Sequence, residues 1–227
     1  MKQVLLSTIG TIILLGKALA WDNSPPIPER YVSWTEGKGK SMIEFEFFFD
    51  VMCSDCADFH PDFDDFLAMP FLNGTVLDAI KVRYSFSPLP YHHGVWVAHK
   101  LLPYIIDTCL SNAQGCKLKY YVKWALQNQN TLLSAKDSTF DELAQLWTSM
   151  VSQAFGWPQS DLLAVYGSDT DKHKSERRTR DMWEYAVTQG IYNTPGLMVN
   201  GIAVNDMQPK PLNSTQLMQI LQDTYNS

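Results

Sequence analysis

The pattern of apolar and polar positions predicts a strand, a helix and a second strand in the first part of the chain. Met42–Asp50 is rich in aromatic residues with partial alternation, which is typical of a strand with a buried face. Cys53–Met69 has apolar residues at helical spacing, interrupted by Pro61. Ile80–Ser87 predicts the second strand, whereas Trp21–Lys40 predicts an irregular lead-in.

The middle of the chain, from about Gly94 to Gln189, has a helical pattern with almost no strand signal. Apolar residues recur there at i, i+3 and i+4, the spacing that places them on one face of a helix. Glycine and proline separate the helical segments, which are WVAHKLLPYII, KLKYYVKWALQ, FDELAQLWTSMVSQAF and DMWEYAVTQG. These residues therefore predict a helix-rich block.

Strand signal returns after the helical block. Gly196–Val199 and Ile202–Val204 are separated by Asn200-Gly201, a strong signal for a two-residue hairpin. A final amphipathic helix is predicted over Ser214–Thr224, with Asn213 or its own first residue as the N-cap. The predicted order is β-α-β, a helical block, a β-hairpin and a helix.

Composition and charge exclude several classes of protein. The 227 residues are 45% hydrophobic and 19% charged, which is ordinary for a globular protein and excludes a disordered or low-complexity one. The formal net charge is −6, so broad electrostatic binding of nucleic acid is not expected.

The first twenty residues predict a secretory signal peptide. The apolar run Val4–Leu15 is short for a membrane span, and Ala18-Leu19-Ala20 supplies the pattern of small residues at a cleavage site. Lys17 disfavours the alternative, a retained signal anchor. We expect no membrane span in residues 21–227 and a location in the secretory pathway, whether secreted, in the endoplasmic reticulum lumen or in the periplasm.

Cys53-Ser54-Asp55-Cys56 is the strongest chemical feature of the sequence. At a strand-to-helix turn the first sulfur can lie at the helix N-terminus, where unpaired backbone N–H groups favour the thiolate. Cys53 would then be the nucleophile in disulfide exchange, and Cys56 would resolve the mixed disulfide. The residues alone leave two alternatives open, half of a zinc site and a structural disulfide.

The histidines do not complete a metal site in this pattern. His60, His92 and His93 are possible zinc ligands, but neither a second C-x-x-C nor an H-x₃-H spacing accompanies them, so no metal is expected. We interpret His92-His93 as two exposed loop histidines. The basic segment KHKSERRTR, residues 172–180, is interpreted as the solvated face of a helix rather than an anion site.

Several segments resemble DsbA-like proteins of the thioredoxin superfamily. EFFFDVMCSDC, residues 46–56, resembles the strand and active-site turn of that group, and NTPGLMVNG, residues 193–201, is similar to its cis-proline segment and hairpin. Pro61 resembles the proline of the active-site helix, and Pro88–His92 is similar to a segment of eukaryotic members. The predicted order of elements also matches, because the group carries a helical block within the thioredoxin core.

The resemblance implies an α/β thioredoxin fold with a helical domain inserted between an N-terminal βαβ part and a C-terminal ββα part. It places the thioredoxin-like domain at residues 21–93 and 190–227, and the helical insertion at 94–189. It also implies a cis Thr194–Pro195 bond that faces the cysteines, where these two residues would hold a substrate strand. No cofactor is expected, because the sulfurs themselves carry the electrons.

Two positions depart from the pattern of the group. Where members often have a buried acid, six residues before the first cysteine, this sequence has Phe47; strand alternation directs the adjacent Glu46 to the other face. We expect Asp50 or Asp55 to take over proton transfer. Strong oxidants of the group carry Pro-His between the cysteines, whereas the carboxylate of Asp55 raises the pKa of a neighbouring thiol, so we predict a milder oxidant.

Two further pairs of residues are candidates for covalent modification. Cys109 and Cys116 flank a predicted turn between two helices, and we interpret them as a structural disulfide; a second redox pair and free buried thiols are the alternatives. Asn73 and Asn213 each begin an N-x-S/T triplet and are possible glycosylation sites in a eukaryotic host.

The sequence therefore predicts an exported dithiol–disulfide oxidoreductase that acts on cysteine-containing client proteins and is reset by an unidentified redox partner. Apolar surface around Cys53, Val51, Met52 and Tyr192 is the expected docking patch. A redox-inactive thioredoxin-fold binding module, with a structural Cys53–Cys56 disulfide, is the alternative function. A glutathione transferase of the same clan is disfavoured, since such proteins usually replace the cysteine pair with a single polar residue.

Overall fold

Seven strands form in the part of the chain that the computed structural model describes, residues 33–38, 41–204, 207 and 210–227. They are β1 (Ser33–Gly37), β2 (Glu44–Phe49), β3 (Pro70–Phe71), β4 (Gly74–Thr75), β5 (Lys81–Phe86), β6 (Gly196–Val199) and β7 (Ile202–Ala203). Five of them make a sheet in the order β1-β5-β2-β6-β7, in which β2 and β5 are parallel and the other neighbours antiparallel. β3 and β4 pair separately.

Ten α-helices accompany these strands in the same described residues. They are α1 (Ser54–Ala68), α2 (Val76–Ala79), α3 (Val95–His99), α4 (Leu102–Ser111), α5 (Leu118–Asn128), α6 (Asn130–Ser134), α7 (Phe140–Phe155), α8 (Gln159–Ala164), α9 (Ser175–Thr188) and α10 (Ser214–Asn226). A short 3₁₀ helix, Ala113–Gly115, precedes α5. None of these helices is long and apolar enough to cross a membrane.

β2 lies at the centre of the sheet because its sequence, EFEFFF, supplies apolar side chains to both faces. Phe47 and Phe49 are fully buried on the face that α1 covers, and the ring of Phe47 lies 4.8 Å from that of Phe63. On the opposite face Phe48 stacks on Tyr185 of α9, with ring centroids 5.9 Å apart. Aromatic packing on both faces holds the end of β2 in place, just before the cysteines.

The segment between β5 and β6 forms the helical block, α3 to α9. Its core contains Trp147, whose indole N–H donates to the hydroxyl of Tyr121 at 3.1 Å, while that hydroxyl donates to the carbonyl of Ala98 at 2.7 Å. Cys109 and Cys116 form a disulfide that joins α4 to the residues before α5. α9 then returns the chain to the sheet, where it packs against β5.

The lead-in before β2 contains a strand that the sequence pattern did not predict. Ser33–Gly37 pairs antiparallel with β5 along its whole length. This segment, SWTEG, lies at the edge of the sheet and has little alternation, so its strand conformation comes from pairing rather than from local preference. The β3–β4 pair and α2 were also missed; α2 depends on a capping box between Thr75 and Asp78.

Two predictions remain predictions at this level. The signal peptide, residues 1–20, lies outside the described residues. The domain boundaries at 93/94 and 189/190 separate parts that share one hydrophobic core, since buried residues of β2, α1 and the helical block belong to a single cluster.

Candidate active site

Cys53 is the N-cap of α1 and follows the turn at the end of β2. The turn is closed by the backbone N–H of Cys53, which donates to the carbonyl of Asp50 at 3.0 Å. No side chain caps the first turn of α1. The strand-turn-helix sequence therefore places the sulfur of Cys53 at the positive end of a 15-residue helix, where a thiolate is stabilised.

The two thiols differ in their tendency to ionise. A hydrogen bond with the Cys56 side chain is the largest influence on Cys53; with help from Thr194 it outweighs burial and lowers the pKa of Cys53 from 9.0 to about 6. Burial raises the pKa of Cys56 well above 9.0, and so do the hydrogen bond and charge of Cys53. Both are free thiols, with Cys53 5% exposed and Cys56 fully buried. Near neutral pH, Cys53 is the thiolate and Cys56 keeps its proton.

Thr194 and Pro195 meet the cysteines because β6 runs antiparallel to β2, with Phe48 opposite Gly196. The residues just before β6 therefore lie beside the residues just after β2. The Thr194–Pro195 bond is cis, which confirms the geometry that the resemblance implied. The Thr194 carbonyl oxygen lies 3.3 Å from the sulfur of Cys53, so this segment faces that sulfur directly.

Asp50, directly after β2, is a fully buried carboxylate with four hydrogen-bond partners. Its Oδ1 accepts from the N–H of Met52 at 2.8 Å and lies 3.0 Å from Nε2 of His99. Its Oδ2 accepts from the N–H of Leu89 at 3.0 Å and lies 2.7 Å from Nδ1 of His92. Burial raises the pKa of Asp50, but the two histidines and the Met52 N–H lower it to about 2.

The proton-transfer role expected of Asp50 does not fit this environment. A carboxylate whose pKa is about 2 stays ionised near neutral pH and is a poor proton carrier there. Phe47, at the position of the family's acid, is instead part of the core. Glu46 lies on the other face, as alternation predicted, and accepts hydrogen bonds from Ser85 and Tyr185. Asp50 is therefore a fixed anion beside the cysteines.

The interpretation of His92 and His93 as two exposed loop residues is wrong. The His92 side chain is only 20% exposed and is bound to Asp50, while Nε2 of His93 lies 3.1 Å from the carbonyl of Ala135. Their loop leaves the carboxyl end of β5, and the Asp50 turn leaves the carboxyl end of β2. Because β2 and β5 are parallel, both segments meet at one edge of the sheet, a relation the strand order could have indicated.

Sequence reasoning missed His99 altogether. It lies on α3, is fully buried, and its Nε2 is within 3.2 Å of the backbone N–H of Val51 as well as 3.0 Å from Asp50. Its segment, VWVAH, has the pattern of an apolar helix, so one polar residue in it carried no signal of a site. Only the tertiary fold brings α3 to the turn between β2 and α1.

The expected docking patch is also only partly correct. Val51 and Met52 are buried in the core. Tyr192, which precedes the cis-proline segment, is 65% exposed, and Tyr91, next to His92, is similarly exposed. Two exposed tyrosines therefore border the site along the chain, Tyr91 next to His92 and Tyr192 two residues before Thr194.

The other singled-out residues lie away from the cysteines. Asn73 and Asn213 are exposed, and the Asn213 side chain caps α10 by accepting from the N–H of Gln216. The basic segment 172–180 is not only a solvated face, because Arg178 is buried and donates to Asp107 at 2.9 Å. Among the described residues, no group of three or more His, Cys, Asp or Glu side chains is arranged to hold a metal ion.

Comparison with known proteins establishes the fold. No protein-family model matches the sequence, and no curated protein matches it. Solved structures do: BdbD from Bacillus subtilis, in oxidised form, is 13% identical with a TM-score of 0.61, over 86% of this chain and 94% of that chain. A protein-disulfide isomerase from Novosphingobium aromaticivorans is 10% identical with a TM-score of 0.61, over 84% and 97%.

A third similar structure is MdbA, a thiol-disulfide oxidoreductase from Actinomyces oris, which is 16% identical with a TM-score of 0.56 over 85% of this chain and 88% of that chain. At such identities the likeness concerns the fold alone. The chain has the α/β thioredoxin fold of DsbA-like proteins, with helices inserted between β5 and β6, and the fold class predicted from the sequence is confirmed.

Proposed function

We propose that this chain is a protein thiol–disulfide oxidoreductase that exchanges disulfides with client proteins through Cys53 and Cys56. The observation that carries the proposal is the asymmetry of the pair. Cys53, at the N-terminus of α1, has a pKa lowered to about 6, whereas the buried Cys56 has a raised pKa. A low-pKa attacking or leaving sulfur beside a buried resolving thiol is the arrangement that disulfide exchange requires.

In the oxidising direction, a client thiolate attacks the sulfur of Cys53 in the Cys53–Cys56 disulfide. Cys56 leaves with the electron pair of the broken bond and takes up a proton. A second client thiolate then attacks the client sulfur of the mixed disulfide, and Cys53 leaves as a thiolate. The client has lost two electrons, and the cysteine pair has gained them. Of the two protons that the client thiols release, one is taken up by Cys56 and the other passes to solvent, because Cys53 remains a thiolate. The reverse sequence reduces a client disulfide.

The segment Thr194–Pro195 supplies the binding surface for the client in this proposal. The Thr194 carbonyl faces the sulfur of Cys53 at 3.3 Å, so an extended client strand placed beside it brings its own sulfur to the nucleophile. The exposed Tyr91 and Tyr192, on the loops that carry His92 and the cis-proline bond, would add apolar surface to it. A redox partner that re-oxidises or reduces the pair would use the same face.

The proposed oxidant is milder than the strongest members of this fold. The pKa of Cys53, about 6, lies between about 7 for thioredoxin and about 3.5 for DsbA. Since a more stable thiolate favours the reduced pair, we expect a reduction potential between about −270 and −120 mV.

The first experiment is to equilibrate the protein in glutathione buffers and alkylate the thiols that remain free. A reversible transition of Cys53 and Cys56 in that range supports the oxidoreductase, and insulin reduction should then be catalysed. A pair that stays oxidised well below about −300 mV contradicts it and supports the redox-inactive binding module.

Trapping the mixed disulfide tests the separate roles of the two cysteines. Cys56→Ser removes the resolving thiol, so Cys53 should form a mixed disulfide with oxidised glutathione that persists. Cys53→Ser is the matched control, because it leaves only the buried, high-pKa Cys56, which should not react measurably in the same time. Equal reaction of the two variants would contradict the assignment of Cys53 as nucleophile.

We infer that the protein works in the secretory pathway. The signal-peptide pattern of residues 1–20 and the Cys109–Cys116 disulfide both suit an oxidising compartment.

Expression in a secreting eukaryotic cell should give a chain that begins at Trp21. The exposed Asn73 and Asn213 are then the sites to test with peptide N-glycosidase, using Asn73→Gln and Asn213→Gln to assign each mass change. Intracellular protein with an intact N-terminus would contradict export.

A further inference from the structure

The loop that carries His92 is fixed against the turn that carries Cys53. Nδ1 of His92 lies 2.7 Å from Oδ2 of Asp50, and the N–H of Leu89 donates to the same oxygen at 3.0 Å. The N–H of His92 donates to the carbonyl of Leu89 at 3.1 Å, which closes the loop segment on itself. The backbone carbonyl of Asp50 accepts a hydrogen bond from the backbone N–H of Cys53 at 3.0 Å. The imidazole therefore has a set position relative to the nucleophile.

The charges around this imidazole favour its protonated form. Burial lowers the pKa of His92, but the hydrogen bond and charge of Asp50, with the charges of Cys53 and Asp55, raise it overall. The titratable groups that face it are Asp50 after β2, Cys53 and Asp55 at the start of α1, His99 on α3 across the Asp50 carboxylate, and Tyr91 on its own loop, with ring centroids 4.7 Å apart.

We propose that the imidazolium of His92, held by Asp50, is a cation that adds to the stabilisation of the Cys53 thiolate and so raises the oxidising strength of the cysteine pair. The inference rests on the proposed oxidoreductase function and adds a positioning residue to it. Ser54 and Asp55 between the cysteines carry no positive charge, so the cation comes from a separate element, the loop between β5 and α3.

Reciprocity of electrostatic coupling supports this role. The charge of Cys53 raises the pKa of His92, so the charge of His92 lowers the pKa of Cys53 by the same free energy. Asp50 acts on Cys53 in the opposite direction, since its negative charge raises the thiol's pKa. Placing His92 on Asp50 offsets that unfavourable charge, which explains how a buried anion is tolerated next to a thiolate.

The test compares His92→Gln with His93→Gln in the reduced protein. The two residues are neighbours on one loop, but His93 contacts the Ala135 carbonyl rather than Asp50. The probe is iodoacetamide, whose reaction rate with Cys53 is followed from pH 4 to 9. His92→Gln should raise the pKa of Cys53 by about one unit, the effect of losing one nearby opposite charge, which lowers its rate at pH 6 about fivefold. His93→Gln should keep the wild-type profile.

The reduction potential gives the second readout. At pH 8 a one-unit rise in the pKa of Cys53 lowers the equilibrium constant for oxidation of glutathione by the cysteine pair close to tenfold. The reduction potential of the pair falls by about 30 mV. His92→Arg, which restores a cation, should recover most of the difference. A His92→Gln profile and potential that match those of His93→Gln would overturn the proposal.

A measurement on the unaltered chain covers the case in which the His92 variant misfolds. Proton NMR should show that the imidazole pKa of His92 is higher when the cysteine pair is reduced than when it is oxidised, with the five histidine signals assigned by sequential NMR of isotope-labelled protein. An imidazole pKa that is independent of redox state would also overturn the proposal. The alkylation and NMR readouts require no exchange with a client or with glutathione, because a strong chemical reductant prepares the dithiol. Failure of the oxidoreductase function is therefore distinguishable from failure of this inference.

Discussion

At the scale of single residues, the sequence predicts which cysteine lies at a helix N-terminus, but it does not predict the environment of that cysteine. A cysteine at a strand-to-helix turn has its sulfur at a helix N-terminus whatever the rest of the fold does, so local sequence predicts the position of Cys53 and is the basis for proposing it as the nucleophile. The carboxylate that most opposes its ionisation is Asp50, whereas the sequence pointed to Asp55. That difference depends on burial, which local sequence does not reveal.

The surroundings of Asp50 were equally out of reach of the sequence. Its histidine partners are separated from it by 42 and 49 positions along the chain, and they come from a loop and from an apolar helix. Each contact exists only because β2 and β5 are parallel neighbours. The sequence showed a C-x-x-C motif with an acidic residue nearby. In the fold that residue is buried, and its carboxylate lies within hydrogen-bond distance of two imidazoles.

We predict that Asp50 makes the stability of the protein depend on pH in acid. Its folded pKa, about 2, is below the ordinary value of 3.8, so its contribution is full above about pH 4 and is lost as the pH falls toward 2. Asp50→Asn should destabilise the protein by about 3 kcal/mol or more at pH 5, because it removes one partner of a buried ionic cluster. The gap to the wild type should shrink by about 1 kcal/mol between pH 5 and pH 3.

Urea unfolding of both proteins at several pH values measures this gap. Asp58→Asn, which removes an exposed carboxylate of α1, is the matched control and should follow the wild type throughout. A gap between Asp50→Asn and the wild type that stays constant from pH 5 to pH 3 would show that Asp50 is not an ion stabilised by the fold.

At the scale of elements, prediction succeeded where a segment carries its own pattern and failed where neighbours impose the structure. α7 has both a strong apolar periodicity and a capping box between Thr139 and Glu142, and its sequence predicted it. β1 is five residues long and is a strand because it pairs with β5. Pro61 lies inside α1, which continues through it because Phe59 and Phe63 on either side are buried against β2.

The disulfide of the helical block is expected to be a structural device. Cys109 and Cys116 are seven positions apart, and closing so short a loop stabilises a fold by about 2–3 kcal/mol in the chain-entropy model. The double variant Cys109→Ala with Cys116→Ala should lose that much free energy of unfolding in urea. The reduction potential of the Cys53–Cys56 pair should not change.

The rate of insulin reduction by the double variant separates a structural role of the disulfide from a role in electron transfer. A structural disulfide has no effect on the rate of insulin reduction once both proteins are fully folded. A double variant with unchanged stability and a markedly slower rate of insulin reduction would instead indicate a second redox pair. The alanine variant leaves no thiol in the helical block, so Cys53 and Cys56 are the only thiols that alkylation reports when its reduction potential is measured.

At the scale of the whole molecule, the helical block is inserted at a point that lets it contribute to the site. It leaves from the carboxyl end of β5 and returns just before β6, and both places border the cysteines that follow β2. The departing chain brings His92 and His99, and the returning chain brings Thr194 and its cis bond. The order of elements was predicted from sequence, but the part that the insertion takes in the active site follows only from the sheet order.

The stability of the whole molecule should depend on redox state in a way that changes with pH. In the reduced protein Cys53 ionises near pH 6 when folded and near 9.0 when unfolded, so the folded state binds fewer protons between these values and gains stability as the pH rises. Cys56 adds nothing to this gain below pH 8, because its thiol is protonated in both states. The oxidised protein has neither thiol, so the gain from Cys53 belongs to the reduced form alone.

The free energy of unfolding of the reduced form, minus that of the oxidised form, should therefore increase by about 2 kcal/mol from pH 6 to pH 8. Urea unfolding of the two forms at pH 6, 7 and 8 measures the difference. The same series on Cys53→Ser, which lacks the ionising thiol, gives the pH dependence of stability that comes from all other groups. In the thermodynamic cycle that links folding to oxidation, a positive difference means that the folded protein prefers the dithiol more strongly than the unfolded chain does. A difference that rises with pH means that the Cys53 thiolate adds to this preference, which makes the disulfide a stronger oxidant of client thiols. A difference that does not change with pH would leave the Cys53 thiolate without the stabilisation on which that direction of electron flow depends.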